Sequence, residues 1–217
     1  MTTVTPRRLR RAVVGAIGLV LGGTPGVTPA AHAQLSLQTG INGMREFTSS
    51  GAWTAPGLLS TQGVTHVLVV LVGAGGGGAQ RGGGAGGCVV STVRVIPGQR
   101  YAVTLGRGGM AGTDAVAGTD GEATAFSFGS SQAVLAQANG GGGADGGLGG
   151  DGGGGTVHAD GGLVRAGGDG LFANDRGEPH RLCRSYGPPS VGQGGRRVLS
   201  GSEPATGGGA GWALLLW

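Results

Sequence analysis

An all-β fold is predicted: a jelly-roll-like antiparallel β-sandwich carrying packed polyglycine-II-type helices, with no α-helix in the mature chain. Three observations carry this prediction. Short β-branched or alternating segments recur between turn residues, and no stretch shows helical periodicity. Glycine supplies 55 of the 217 residues, about a quarter, where roughly 7% is usual. In the tract GGGGADGGLGGDGGGG, residues 140–155, side chains return every third residue, at Asp145, Leu148 and Asp151.

The strands are read from pattern. REFTSSGAWTAP holds two short ones, around Phe47 and Trp53. THVLVVLV, residues 65–72, is apolar and β-branched, the mark of a buried strand. CVVSTVRVIPGQRYAVTLG reads as a hairpin, Val89–Val95 and Tyr101–Leu105 joined at Pro97-Gly98. EATAFSFG alternates, with Thr124, Phe126 and Phe128 on one face, and Ala133–Ala136 is a further short strand. The chain ends in GWALLLW, and an apolar strand at 211–217 is expected inside a sheet rather than frayed.

Period three belongs neither to an α-helix nor to a β-strand. It is the repeat of the extended polyproline-II-type helix, which has no internal hydrogen bonds. Such helices are stable only as a bundle, where glycine edges let backbones approach and pair. The pattern partly repeats at Asp160/Leu163 and Ala166/Asp169, so the tracts extend over about 140–170. A flexible glycine-rich linker is the competing reading. Leucine and aspartate in strict register, followed by a strand, favour the bundle.

The N-terminus sets the compartment. Arg7, Arg8, Arg10 and Arg11 precede the apolar AVVGAIGLVLGG, and small residues stand at Ala31 and Ala33. This is the layout of a secretory signal peptide over residues 1–33, too short to span a bilayer. The mature protein is therefore expected to be exported, to the periplasm, the cell surface or the medium, without a transmembrane anchor after cleavage. Cleavage removes four of the 15 arginines, and all 11 acidic residues lie after Ala33, so the formal net charge falls from +4 to zero. Binding to nucleic acid loses its electrostatic basis. The two cysteines, Cys88 and Cys183, suggest a disulfide in an exported chain, against two unpaired small hydrophobes.

Several chemistries can be weighed. Gly73, Gly75 and Gly78 match G-x-G-x-x-G after a strand. A dinucleotide site also needs a helix at that point and an acidic residue about 20 positions on. AQRGGGAGG follows instead, and no Asp or Glu occurs from Phe47 to Thr113. No cofactor is expected. The chain has no lysine for a P-loop and no G-x-S-x-G, and its few carboxylates sit in glycine tracts that hold an acid–base pair poorly. An enzyme is not expected. Asp145, Asp151, Asp160 and Asp169 are the candidate calcium ligands, against solvated turn aspartates; calcium would require them to cluster.

FTSSGAWTAP, GVTHVLVVLVGAGGGG, RGGGAGG, VIPGQRYAVTLGRGG, DGEATAFSFG and the terminal GWALLLW, in that order over about residues 46–217, resemble bacterial and phage glycine-rich domains. The chain is also similar to the glycine-rich domain of anaplastic lymphoma kinase receptors. The resemblance implies a β-sandwich with packed polyglycine-II helices, and, by likeness to phage tail-fibre tips, loops at the bundle's end that bind surface receptors. LLSTQ (58–62) and residues 171–204 depart from the pattern as insertions.

The resulting organisation is a signal peptide (1–33), a leader (34–45) and a glycine-rich sandwich domain (46–217). Function is expected to be a surface or extracellular binding and adhesion module, the glycine bundle serving as a rigid display platform for a cell-surface glycan or protein. Arg176, Arg181, Arg184, Tyr186, Arg196 and Arg197 on the 171–204 loop are the candidate contacts, since arginine and tyrosine are enriched at binding hot spots; a solvated loop is the equal alternative. A structural matrix or envelope protein that self-associates is the second reading. Ice binding is the third and weakest, because Asp and Leu occupy the third positions where small residues or Thr would suit.

Overall fold

The computed structural model describes residues 42–57, 63–129, 131–145, 148–158, 162–170, 176–197 and 204–217. The expected signal peptide, most of the leader, the LLSTQ insertion, Asp160 and the two outer parts of the 171–204 insertion lie outside them. Ten strands form: β1 (Met44–Phe47), β2 (Gly51–Thr54), β3 (His66–Val72), β4 (Cys88–Arg94), β5 (Arg100–Thr104), β6 (Thr124–Phe128), β7 (Val134–Ala138), β8 (Gly155–Val157), β9 (Gly162–Arg165) and β10 (Trp212–Leu216). They make two five-stranded sheets, ordered β1-β10-β3-β4-β9 and β2-β5-β6-β7-β8, with every neighbouring pair antiparallel.

The apolar C-terminal run becomes an interior strand: β10 pairs with β1 on one side and β3 on the other. It also extends the fold into the expected leader, because the Asn42 and Gly43 N–H groups donate to the Trp217 carbonyl. Pro97-Gly98 turns the chain between β4 and β5 with Gly98 at φ 78°, the positive value that favours glycine at the third position of a type II turn. Two expectations are corrected. The expected hairpin over 89–105 does not form, because the turn carries the chain from one sheet to the other: β4 pairs with β3 and β9, and β5 with β2 and β6. The chain beyond residue 33 does contain a helix, α1 (Arg181–Arg184). A single turn carries no periodicity for a sequence to display. It forms because His180 Nδ1 accepts from the Leu182 N–H at its start and the disulfide holds its middle residue, Cys183.

The sheets face each other across one core. Trp53, Tyr101, Val103 and Phe126 of the second sheet meet Val67, Val69, Leu71, Val89, Val93, Ala213 and Leu215 of the first. The rings of Tyr101 and Phe126 stack at 5.2 Å, and Trp217 closes on Trp53 at the same centroid distance. The phenolic oxygen of Tyr101 accepts from the Ile96 N–H at 2.8 Å, so its polar end is satisfied. Each such large side chain contributes about 1.5–3 kcal/mol by leaving water.

Beyond one end of the sandwich the strands continue as glycine segments. Gly73–Ala79 and Gly82–Gly87 form a central pair, buried throughout. Along the first, the N–H groups point to three neighbours in rotation. Gly73 and Gly76 donate to Gly87 and Gly84, Ala74 and Gly77 to Glu122 and Thr119, and Gly75 and Gly78 to Gly209 and Thr206. Carbonyls of the same segment receive from Gly141 and Ala144, from Gly109 and Gly112, and from Gly195. Tracing the bonds of both central segments gives a closed ring of eight around them: 107–112, 118–122, 139–144, 150–154, 167–170, 177–178, 192–196 and 206–211. Each central segment thus touches the other and five of the ring.

Glycine is present for closeness. Of the described glycines only Gly98 and Gly192 take a positive φ. A Cβ on Gly76 would lie 2.0 Å from the Gly142 carbonyl oxygen, and one on Gly86 1.9 Å from that of Gly73. Backbone atoms on both sides cannot swing away as a flexible side chain can. Gly76→Ala is therefore expected to destabilise by about 3 kcal/mol or more. Gly154 has nothing within 4 Å of the same added carbon, so Gly154→Ala should be neutral or stabilise by up to about 1 kcal/mol. Urea midpoints of the two variants test the pair.

Candidate functional site

Register fixes where the glycine bundle stands. Val72 is level with Cys88 and Trp212, Cys88 with Arg165, Thr124 with Ala138, and Ala138 with Gly155. Five excursions, after β3, β5, β7, β9 and α1, therefore all leave the sheets at one end. Three are closed at the far end by a backbone hydrogen bond, between Ala79 and Arg81, between Thr113 and Val116, and between Asp145 and Leu148. Two exposed apolar side chains sit there, Val116 and Leu148, and Met110 stands exposed on the approach to the second turn.

The glycines of the G-x-G-x-x-G run are in the middle of this packing. The N–H groups of Gly73, Gly75 and Gly78, which a phosphate would need, donate instead to the carbonyls of Gly87, Gly209 and Thr206.

On one flank an open cleft of about 540 Å³ is lined by Asp120, Asp145, Leu148, Asp151 and Asp169 over glycine backbone. Three of the candidate calcium ligands, Asp145, Asp151 and Asp169, thus line one surface, and Asp160 lies outside the described residues. Asp120 is a lining residue that the sequence reading passed over, although Ala117, Asp120 and Ala123 repeat the period of three. Two carboxylates have structural work: Asp120 Oδ1 accepts from the Gly143 N–H at 2.8 Å, and Asp169 Oδ1 from the Gly152 N–H at 2.7 Å. Among the described residues, no three His, Cys, Asp or Glu side chains converge as a metal would require.

The six candidate contact residues fall into two groups rather than one loop. Arg181, Arg184 and Tyr186 lie on a strap, residues 180–191, laid over the outer face of the first sheet. Arg184 pairs there with Glu178. Arg176, Arg196 and Arg197 belong to the bundle, where the Arg196 N–H donates to Thr206 Oγ1 and its carbonyl accepts from the Thr206 N–H. Proximity in sequence suggested one loop. The insertion instead contributes two segments to the glycine ring, because Gly177 and Gly194 bond each other across it.

The strap exists because that sheet face is apolar. Val70, Val72, Cys88, Trp212 and Leu214 point outward and pack under Cys183, Leu182 and Val191. The Trp212 indole N–H donates to Glu46 Oε1 at 2.7 Å. Cys88 and Cys183, both fully buried, form a disulfide across 95 residues. The second sheet needs no cover: its outward positions are small or polar for the most part, Ala52, Ala102, Ala125, Ser127, Gln137 and Thr156 among them, with Arg100 exposed at one end.

No helix among the described residues is long and apolar enough to cross a membrane. The chain matches the family model described as a glycine-rich domain over residues 48–215. No curated protein matches it.

Replacing both cysteines by alanine should cost about 4–5 kcal/mol, the chain-entropy value for a loop near 100 residues, read as a fall in the unfolding free energy extrapolated to zero urea, with a steeper slope because the unlinked unfolded chain exposes more surface. Asp169→Ala removes the acceptor for the Gly152 N–H, an exposed charge-assisted bond, and should cost about 1 kcal/mol by the same measurement.

Proposed function

The chain belongs to the glycine-rich domain family, and on that footing we propose that it is an exported, non-enzymatic binding and adhesion module. In this reading the glycine segments are polyglycine-II-type helices, and their bundle is a rigid platform that holds turns away from the sandwich. The observation that carries it is the common direction of the five excursions, which gathers the turns at 79–81, 113–116 and 145–148 at one end. Three-way hydrogen bonding with a period of three supports the helix type. A buried disulfide fits an oxidising compartment and hence export. The ligand class is a cell-surface glycan or protein, met by exposed apolar and arginine side chains at the bundle's end. Arg196 is favoured over the strap residues Arg181, Arg184 and Tyr186, which lie along the side of the sandwich.

Glycan and protein arrays probed with residues 34–217 test the reading. Serine at Val116, Leu148 and Arg196 together should lower capture by about tenfold or more, the loss of a single hot spot. Ile96→Ser, in the exposed β4–β5 turn at the opposite end, should leave capture unchanged. Equal capture by the triple variant would move the contact off the bundle's end, and an array without hits would remove the binding function.

A further inference from the structure

The ring of eight segments is divided by charge. Four consecutive segments, 118–122, 139–144, 150–154 and 167–170, are followed around the ring by 177–178, 192–196, 206–211 and 107–112. The first half carries exposed carboxylates at Asp120, Glu122, Asp151 and Asp169, with Asp145 at the end of the 139–144 segment; Glu122 lies at the seam, accepting from the Arg107 N–H. Among its described residues there is no arginine. The second half carries Arg107 and Arg196, both exposed, and Arg176 beside Gly177. Its carboxylate, Glu178, is already paired with Arg184. Asp114 stands in the turn that joins the two halves. A mature chain of zero formal charge is thus strongly polar across its bundle.

The two halves back onto each other across the central pair and meet only at the two seams of the ring; at the seam with 107–112, Glu122 Oε2 accepts from the Arg107 N–H and Thr119 Oγ1 from the Met110 N–H. Asp145, Asp151 and Asp169 stand away from that seam. The acidic half is concave, the 540 Å³ cleft lying between its segments. The opposite half presents long guanidinium side chains able to enter a cleft and bond carboxylates in bidentate fashion. We propose that the acidic flank of one bundle receives the arginine flank of a second copy, side by side. The two surfaces are different patches, so the contact is heterologous. Each added copy leaves one acidic and one arginine flank unused, and association runs on as an open row rather than closing as a symmetric dimer. The inference does not depend on what the turns at the bundle's end bind.

Asp145 and Asp151 can be neutralised without disturbing the backbone amides that Asp120 and Asp169 hold. The experiment therefore uses residues 34–217 as wild type, as Asp145→Asn/Asp151→Asn, and as Arg107→Gln/Arg176→Gln/Arg196→Gln, followed by sedimentation velocity. Charge acts over about 30 Å at 0.01 M salt and about 3 Å at 1 M. At the lower salt the wild type is expected to grow beyond the mass of a dimer as concentration rises, and at the higher salt to return to monomer. Each variant alone should stay monomeric. Mixed in equal amounts, the variants should form a heterodimer that grows no further, because each supplies one intact flank. A wild type that stays monomeric at low salt, association that survives 1 M salt, a variant that associates by itself, or a mixture that remains monomeric would each overturn the proposal.

Discussion

Backbone lying directly against backbone is the contact on which the rest of this molecule depends. Gly73–Gly87 is enclosed by eight neighbouring runs of chain, and hydrogen bonds leave it on every side. Ala74 and Ala85 find room within it, but at the glycine positions a side chain would hold the carbonyls apart. Carbon–oxygen separations near 2 Å for an added Cβ are far inside van der Waals contact. The arrangement also couples bundle to sheets. The two central segments are direct continuations of β3 and β4, so the register of β3 with β4 and β10 sets which carbonyl faces which amide farther out. An extended segment has no hydrogen bonds of its own, and neither bundle nor sandwich end is complete without the other.

The outer surfaces of the two sheets are finished differently, and composition explains it. Trp212, Val70 and Val72 make one face too apolar to leave bare, and the chain spends part of its insertion on a strap to cover it. The disulfide secures that strap at the point where β4 begins, next to the bundle. The strap's two ends run into the glycine ring at Gly177 and Gly192, so cover and platform share one stretch of sequence. The other sheet turns outward mostly small or polar side chains, with Arg100 exposed among them, and stands open.

Much of the architecture was legible in the sequence. Apolar β-branched runs placed β3 and β4, alternation placed β6, and the terminal WALLL declared an interior strand, because burial on one face or two leaves its period in the letters. The recurrence of Asp145, Leu148 and Asp151 suggested a period of three, but Asp145 and Leu148 bond each other where the chain reverses between 139–144 and 150–154; the period is seen instead in the hydrogen bonds of residues 73–78. The candidate site was less legible. Asp145, Asp151 and Asp169 were picked out, yet Asp120 was not, since it comes from a different excursion and joins them only through the ring. The six residues of the insertion read as one loop because they are close in sequence; the fold sends three to a sheet face and three to the bundle. Helix α1 was missed because one turn held by a histidine cap and a disulfide has no pattern to read.

The sequence by itself determined eight of the ten strands, the excess of glycine and the presence of just two cysteines. Each of these is a local or compositional property, expressed within a few residues. Strands β8 and β9 fall inside the 140–170 tract that read as glycine helix, and form because they pair with β7 and β4. Only the tertiary structure decided which glycine segments are central and which form the ring. It alone sorted the carboxylates and arginines onto opposite flanks and turned an insertion into a strap. Those outcomes depend on which backbones meet, and glycine, having no side chain, leaves no mark in the sequence of the partner it will touch.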